Sequence, residues 1–165
     1  PQCGIMLGRS EHIGRLRQHP LARTFRVDKL TLGAMSATLD SYLRDVAETE
    51  IPTLQMLATT VEQLEQRARS LESGLQEVKQ LRVEVERAKS PVGGGSVPGA
   101  DLPTAVLSLQ HEIFSADDFA HRLRLGTIRI VSRIQHERVI IDLRSVEPSD
   151  DSRIKLALRL AAGQN

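Results

Sequence analysis

The sequence predicts an α/β chain of the α+β kind: a small, mostly antiparallel sheet with helices on one face. A long linking helix and a strand–helix remnant of another domain precede it. Three observations carry this reading. From about residue 57 the order runs helix, strand, strand, helix, strand, strand, helix. The apolar period changes from heptad spacing to strict alternation near residue 82. Two β-rich runs then flank a short polar connection, as in a hairpin. Three parts follow: residues 1–27 as the remnant, 28–50 as the linking helix, and 51–165 as the small domain.

The remnant opens with Cys3-Gly4-Ile5-Met6-Leu7-Gly8, which reads as a buried strand bounded by glycines. A buried strand needs neighbours, and no other strand pattern occurs in the first fifty residues. The chain is therefore expected to be the C-terminal part of a longer protein. Ser10 is placed to cap a short helix through about Gln18, with Ile13 and Leu16 inward. His19-Pro20-Leu21-Ala22-Arg23 forms a joint, since Pro20 favours a turn or a helix start.

Asp28 is a candidate N-cap for the next helix. Leu32, Met35, Leu39, Leu43 and Val46 recur at steps of three and four. Asp40 and Arg44 add an i,i+4 ion pair. Ile51-Pro52-Thr53 breaks this helix, and Pro52 starts another turn. Leu57, Val61, Leu64, Ala68, Leu71, Leu75 and Val78 form a heptad seam. A helix packed on a sheet explains the seam, and a short free coiled coil is the alternative.

Arg82-Val83-Glu84-Val85-Glu86 alternates as a strand does. Residues 92–99 form a loop, and 104–109 a second strand. Ser115 caps a helix over Ala116 to Leu125, with Asp117 and Asp118 in its first turn. Arg129–Ile134 and Arg138–Leu143 read as strands joined by Gln135-His136-Glu137. Ser149 or Asp150 caps a last helix carrying Ile154, Leu156, Leu158 and Leu160.

Composition excludes several functions. The chain has 165 residues and a formal net charge of +1, so no global basic field advertises nucleic acid. Phe25, Tyr42, Phe114 and Phe119 are its aromatic residues, too few for a surface that stacks unpaired bases. A protein that grips folded RNA by shape and phosphate is not excluded. Cys3 is the single cysteine, which rules out an internal disulfide and fits a reducing, cytoplasmic setting. No apolar run approaches the ~20 residues that span a bilayer, so no membrane is expected.

Phosphate-loop readings of Gly93, Gly94, Gly95 and Ser96 fail in turn. No Gly-Lys-Ser/Thr follows, and Pro98 occupies the closing glycine position of both the dinucleotide fingerprint and the nucleophile elbow. A loop whose bare amides approach a ligand stays open beside a plain connection. His12, His19, His111, His121 and His136 are scattered, and Ser115 stands where a zincin pattern begun at His111-Glu112 needs its second histidine. No metal site is expected. Arg23 and Arg26 lie three apart on the Pro20 joint, where two guanidinium forks suit one small oxyanion. Arg133 and Arg144 lie on neighbouring strands and could share an anion, or be solvated.

Six segments in register resemble a known family. They are Pro1-Gln2-Cys3-Gly4-Ile5, His19–Arg23, Arg26–Leu32, Ile51-Pro52-Thr53-Leu54, Val92–Gly99 and Ile141-Asp142-Leu143-Arg144. Together they resemble the C-terminal part of bacterial L-seryl-tRNA(Sec) selenium transferases, the selenocysteine synthases. The resemblance implies a fold-type-I pyridoxal-phosphate enzyme, with residues 1–27 the end of its large domain. It implies conversion of seryl-tRNA(Sec) to selenocysteinyl-tRNA(Sec) with selenophosphate as donor. The cofactor lysine would lie upstream of Pro1; Lys29, Lys79, Lys89 and Lys155 do not match it, so this chain alone would be inactive. Arg23 and Arg26 match arginines that hold the donor phosphate. The Gly93–Ser96 loop matches one placed near the active site. The family forms a ring of dimers. Cys3 in place of alanine, Ser132 in place of glycine, and Gln135-His136-Glu137 in place of a tighter turn depart from the pattern; the last two leave the role of Arg133 open. Two alternatives remain: a related pyridoxal-phosphate enzyme acting on a small amino acid or amino sugar without tRNA, and a non-catalytic helical interaction module built on residues 57–78.

Overall fold

The computed structural model describes residues 1–92 and 99–163. The expected Gly93–Ser96 loop lies outside them. The chain divides into two compact units, Pro1–Gln55 and Met56–Asn165.

The first unit is helical. Helix α1 (Ser10–Gln18) leads to a 3-10 turn, Pro20–Arg23, then to α2 (Lys29–Leu43) and α3 (Ala47–Glu50). Asp28 caps α2 as expected, its carboxylate accepting from Thr31 N at 2.9 Å and from Thr31 Oγ1 at 2.8 Å. Asp40 and Arg44 pair at 2.9 Å. Three expectations need correction here. Cys3–Gly8 forms no strand, because no other strand in this unit offers it a ladder. Arg9, not Ser10, occupies the N-cap of α1, and its side chain makes no capping bond. The linking helix stops at Leu43, three residues short of Val46. Asp45 turns left-handed with φ 59°, Arg44 reaches forward to Glu50 at 2.6 Å, and α3 restarts the helix at Ala47. Among residues 1–55, only Ser41 and Ala47 are buried.

The second unit begins within helix α4 (Pro52–Ala58) and continues through α5 (Val61–Ser73). Thr60 and Gln63 form a reciprocal capping box at the start of α5. Strands β1 (Leu81–Pro91), β2 (Asp101–His111), β3 (Arg133–Gln135) and β4 (Arg138–Asp142) make one antiparallel sheet in the order β1-β2-β4-β3. Helix α6 (Ala116–Leu125) follows β2, and α7 (Asp151–Ala161) closes the unit. Ser115 caps α6 by accepting from Asp118 N at 3.1 Å.

The heptad seam is core, not a coiled coil. Leu64, Ala68, Leu71, Leu75 and Val78 are buried with Ala105, Leu107 and Leu109 of β2, Phe119 and Leu123 of α6, and Ile154 and Leu158 of α7. Strand alternation sends one β2 set toward these helices and Thr104, Val106 and Ser108 to the other face. The interaction-module reading therefore loses its surface: a seam already buried cannot dock a partner without unfolding this core.

The strands β1 and β2 run eleven residues each, longer than the alternating stretches expected. Residues 129–132 are not strand. Ile130 N donates to Leu123 O at 3.0 Å instead, which ties the segment to α6 and shortens β3 to three residues. Gln135 pairs with Arg138, so the hairpin turn is only His136-Glu137, tighter than expected. Both residues are left-handed, with φ 50° and 57°. This is the geometry of a primed two-residue turn, which ordinarily takes Asn-Gly. On α7, Ile154, Ala157, Leu158 and Ala161 face the core, while Leu156 and Leu160 stay partly outside. Asp150 takes the N-cap position without a capping bond.

Candidate functional site

The Pro20 joint is built by local hydrogen bonds. His19 Nδ1 accepts from Leu21 N at 3.2 Å, and Thr24 Oγ1 donates to Leu21 O at 2.6 Å. Arg26 N donates to Arg23 O at 3.4 Å, so one turn links the two arginines. Pro20 presets the first φ of the preceding 3-10 turn, Pro20–Arg23. Both residues are exposed, and neither guanidinium has a hydrogen bond or ion pair among the described residues. A short ordered joint thus presents two uncommitted forks. Such forks match the oxygens of a tetrahedral anion in charge and in donor geometry.

The glycine-rich loop can be located only by its ends. Pro91 pairs with Asp101, and Val92 N donates to Ala100 O at 3.0 Å. These contacts close the described end of the long β1–β2 ladder.

Arg133 and Arg144 have different fates. Arg144 is buried, and its guanidinium donates to Met56 O at 2.6 Å, Thr59 O at 2.8 Å and Pro103 O at 2.5 Å. Three carbonyls from two chain segments occupy its donors, so it fastens the α4–α5 joint to the sheet. The shared-anion arrangement does not form, because Arg144 follows β4 in a 3-10 turn and is spent on backbone. Arg133 stays half-exposed, its Nη2 only 3.9 Å from Asp142 Oδ2.

Sequence reasoning gave Arg67 no role and set His111 aside among the scattered histidines. Arg67 of α5 grips Asp151 with Nε and Nη2 and donates to the carbonyls of Leu143, Val146 and Glu147 at 3.0, 2.7 and 2.9 Å. It stitches the connection after β4 to α5 and α7. No local pattern marks this arginine, because its partners lie some eighty residues away. His111 is buried at the end of β2, stacked 4.5 Å from Phe114 and 5.4 Å from Phe119. Its Nδ1 accepts from Ile113 N and Phe114 N at 3.1 and 3.2 Å. Burial, then the nearby Arg122 charge, push its pKa below the ordinary histidine value.

Among the described residues, no cluster of histidine, cysteine, aspartate and glutamate forms a metal site, and no helix is long and apolar enough to cross a membrane. A covalently held aldehyde cofactor needs a lysine in a sheltered pocket. Lys29, Lys79 and Lys89 are exposed, and the Lys155 amine lies along the backbone at Gly74. These residues do not form such a cradle.

The fold and joint together define a two-unit α+β chain with two uncommitted arginines on a turn before α2. Comparison with known proteins then places it. Residues 1–147 match the model for L-seryl-tRNA selenium transferase, and the chain belongs to that family. It is 42% identical over 164 residues to the L-seryl-tRNA(Sec) selenium transferase of Alkaliphilus metalliredigens, covering 98% of this chain and 35% of that protein. The protein of the same name from Aquifex aeolicus is 36% identical over 159 residues, with 96% and 35% covered. That of Alkaliphilus oremlandii is 43% identical over 151 residues. The chain spans about a third of the length of these relatives.

Proposed function

We propose that this chain is the C-terminal portion of a pyridoxal-phosphate-dependent selenium transferase. The whole enzyme would convert L-seryl-tRNA(Sec) to L-selenocysteinyl-tRNA(Sec) with selenophosphate as donor, in the cytoplasm, as a homo-oligomeric ring. Its cofactor supplies an electron sink for replacing the seryl oxygen, and the lysine holding it lies in a part of the polypeptide other than this chain.

Within that enzyme, Arg23 and Arg26 hold the donor. Two fixed positive charges neutralise the oxyanion and orient it toward the reacting carbon, so the entropy of bringing donor and acceptor together is met by binding. The observation that carries this role is the pair of uncommitted guanidiniums on one hydrogen-bonded turn. The Gly93–Ser96 loop is assigned to the neighbourhood of the site by family resemblance alone. The relatives' names, which specify seryl-tRNA(Sec), favour this reading over a related enzyme acting on a free amino acid.

In the full-length enzyme, Arg23→Ala and Arg26→Ala are each expected to lower donor-dependent turnover by roughly a hundredfold, the scale of losing one oxyanion-stabilising group. Cofactor absorbance stays intact in both. Unchanged turnover in both variants would remove the donor role.

A further inference from the structure

We propose that the cleft between residues 128–133, the end of β4 and the start of α7 binds one ribonucleotide unit. Its phosphate would lie on arginines and its hydroxyl or amino donors on Asp142. This inference goes beyond the donor site and does not depend on it.

The cleft encloses about 490 Å³, within the range of small-ligand sites. Arg129, Arg133 and Arg153 line it together with Asp142 and Asp150, and Arg153 Nη1 pairs with Asp150 Oδ1 at 2.7 Å, a contact that a phosphate would have to displace. Guanidinium forks suit phosphate. Ile128, Ile130, Val146 and Ile154 form an apolar wall that a base or sugar face can cover.

Three further atoms narrow the ligand class. Ser132 Oγ, Arg133 Nε and Asp142 Oδ2 are buried without a hydrogen-bond partner, and all three residues line this cleft. Native folds leave few such atoms, and three in one place point to a polar occupant. Asp142 is fixed in orientation: Oδ1 accepts from Thr104 Oγ1 at 2.9 Å and from Arg144 N at 3.1 Å. Its Oδ2 therefore requires a donor. A bare phosphate offers this carboxylate mainly repulsion, and a simple cation meets three arginines. A nucleotide carries both the anion and the hydroxyl or amino donors.

Arg133 is held only by the 3.9 Å approach to Asp142, with 39% of its side chain exposed. It can swing onto the phosphate and uncover Oδ2 as it does so. The same chemistry comes from a free mononucleotide or from an unpaired nucleotide of an RNA.

Calorimetric titration of the full-length protein with AMP, adenosine and inorganic phosphate tests the proposal. AMP is expected to bind at least about tenfold more tightly than either fragment, and Arg153→Gln to weaken AMP by about tenfold. Arg153 is an exposed residue at the cleft rim, so its replacement leaves the fold intact. Asp142→Asn should weaken AMP while sparing phosphate. AMP binding no tighter than phosphate, or indifferent to Arg153→Gln, overturns the site. Deacylated tRNA separates the sources: a loss of tRNA affinity in Arg153→Gln assigns an RNA nucleotide, and no loss assigns a free one. Failure of the protein to bind tRNA at all would sink the proposed function while leaving the AMP result to stand or fall by itself.

Discussion

Residues 1–55 and 56–165 spend their apolar side chains in opposite ways. The second unit encloses Leu64, Leu71, Leu107, Phe119, Leu143 and Leu158 at 2% exposure or less. The first leaves Leu7, Leu30 and Leu43 at 86–90% exposure and shields almost nothing. Each buried leucine contributes about 1.5–3 kcal/mol by leaving water, so the second unit holds its own driving force for folding. The first has a side-chain cap on α2 but none on α1 or α3, and only Ser41 and Ala47 are buried in it. Helices of this length are marginal in water unless an apolar face is covered. Secondary structure in that region is thus local in origin.

That contrast can be broken or sharpened by measurement. The largest expected effect is in the core. Leu71→Ala should destabilise the protein by about 2–5 kcal/mol, read from denaturant unfolding, whereas Leu43→Ala in this chain should change it by less than about 0.5 kcal/mol. Equal losses would mean that the first unit is as well packed as the second. Arg67→Ala comes next, at about 2–4 kcal/mol, because it strands Asp151 and three carbonyls in a partly buried place. A double-mutant cycle with Asp151→Ala should show strong coupling; additive losses would argue against the clamp.

Acid should act on the second unit through His111. Its Nδ1 must stay unprotonated to accept two backbone N–H groups, and its folded pKa lies below the ordinary value of 6.5. The unfolded chain therefore binds the proton first. Stability is complete above about pH 6.5 and declines as pH falls from there toward the folded pKa. Glu65 and Glu84, held low by arginine partners, affect stability only nearer the carboxylate range. His111→Asn should flatten the profile between about pH 5 and pH 7; an unchanged slope would assign it elsewhere. The smallest effect falls in the first unit. Asp28→Ala removes the α2 cap and should cost about 1 kcal/mol of local helix stability, seen as faster amide exchange at Thr31 and its neighbours. No change in exchange there would show that α2 is held by contacts beyond its own cap.

What was legible in the sequence was what depends on near neighbours. The caps at Asp28 and Ser115, the Asp40–Arg44 pair, the α5 seam and the switch to strand alternation all rest on spacings of a few residues. The placement of Arg23 and Arg26 on an exposed proline joint was legible too; their donor role stays a proposal. The misreadings came where partners are remote. Cys3–Gly8 has strand composition but no ladder. Residues 129–132 have strand composition but bond to α6. Arg144 has the look of an anion ligand and is consumed by backbone carbonyls brought from Met56, Thr59 and Pro103.

By itself, then, the amino-acid order determined the starts of α2 and α6, the core stripe of α5, the β1–β2 alternation and the family motifs, because backbone geometry and side-chain period act over one or two turns. Only the tertiary structure decided which arginines are free. Arg67 and Arg144 lose their freedom to carbonyls up to some eighty-eight residues away, while Arg23 and Arg26 keep theirs. A guanidinium's availability depends on whatever folds against it, and that is a property of distant chain brought close.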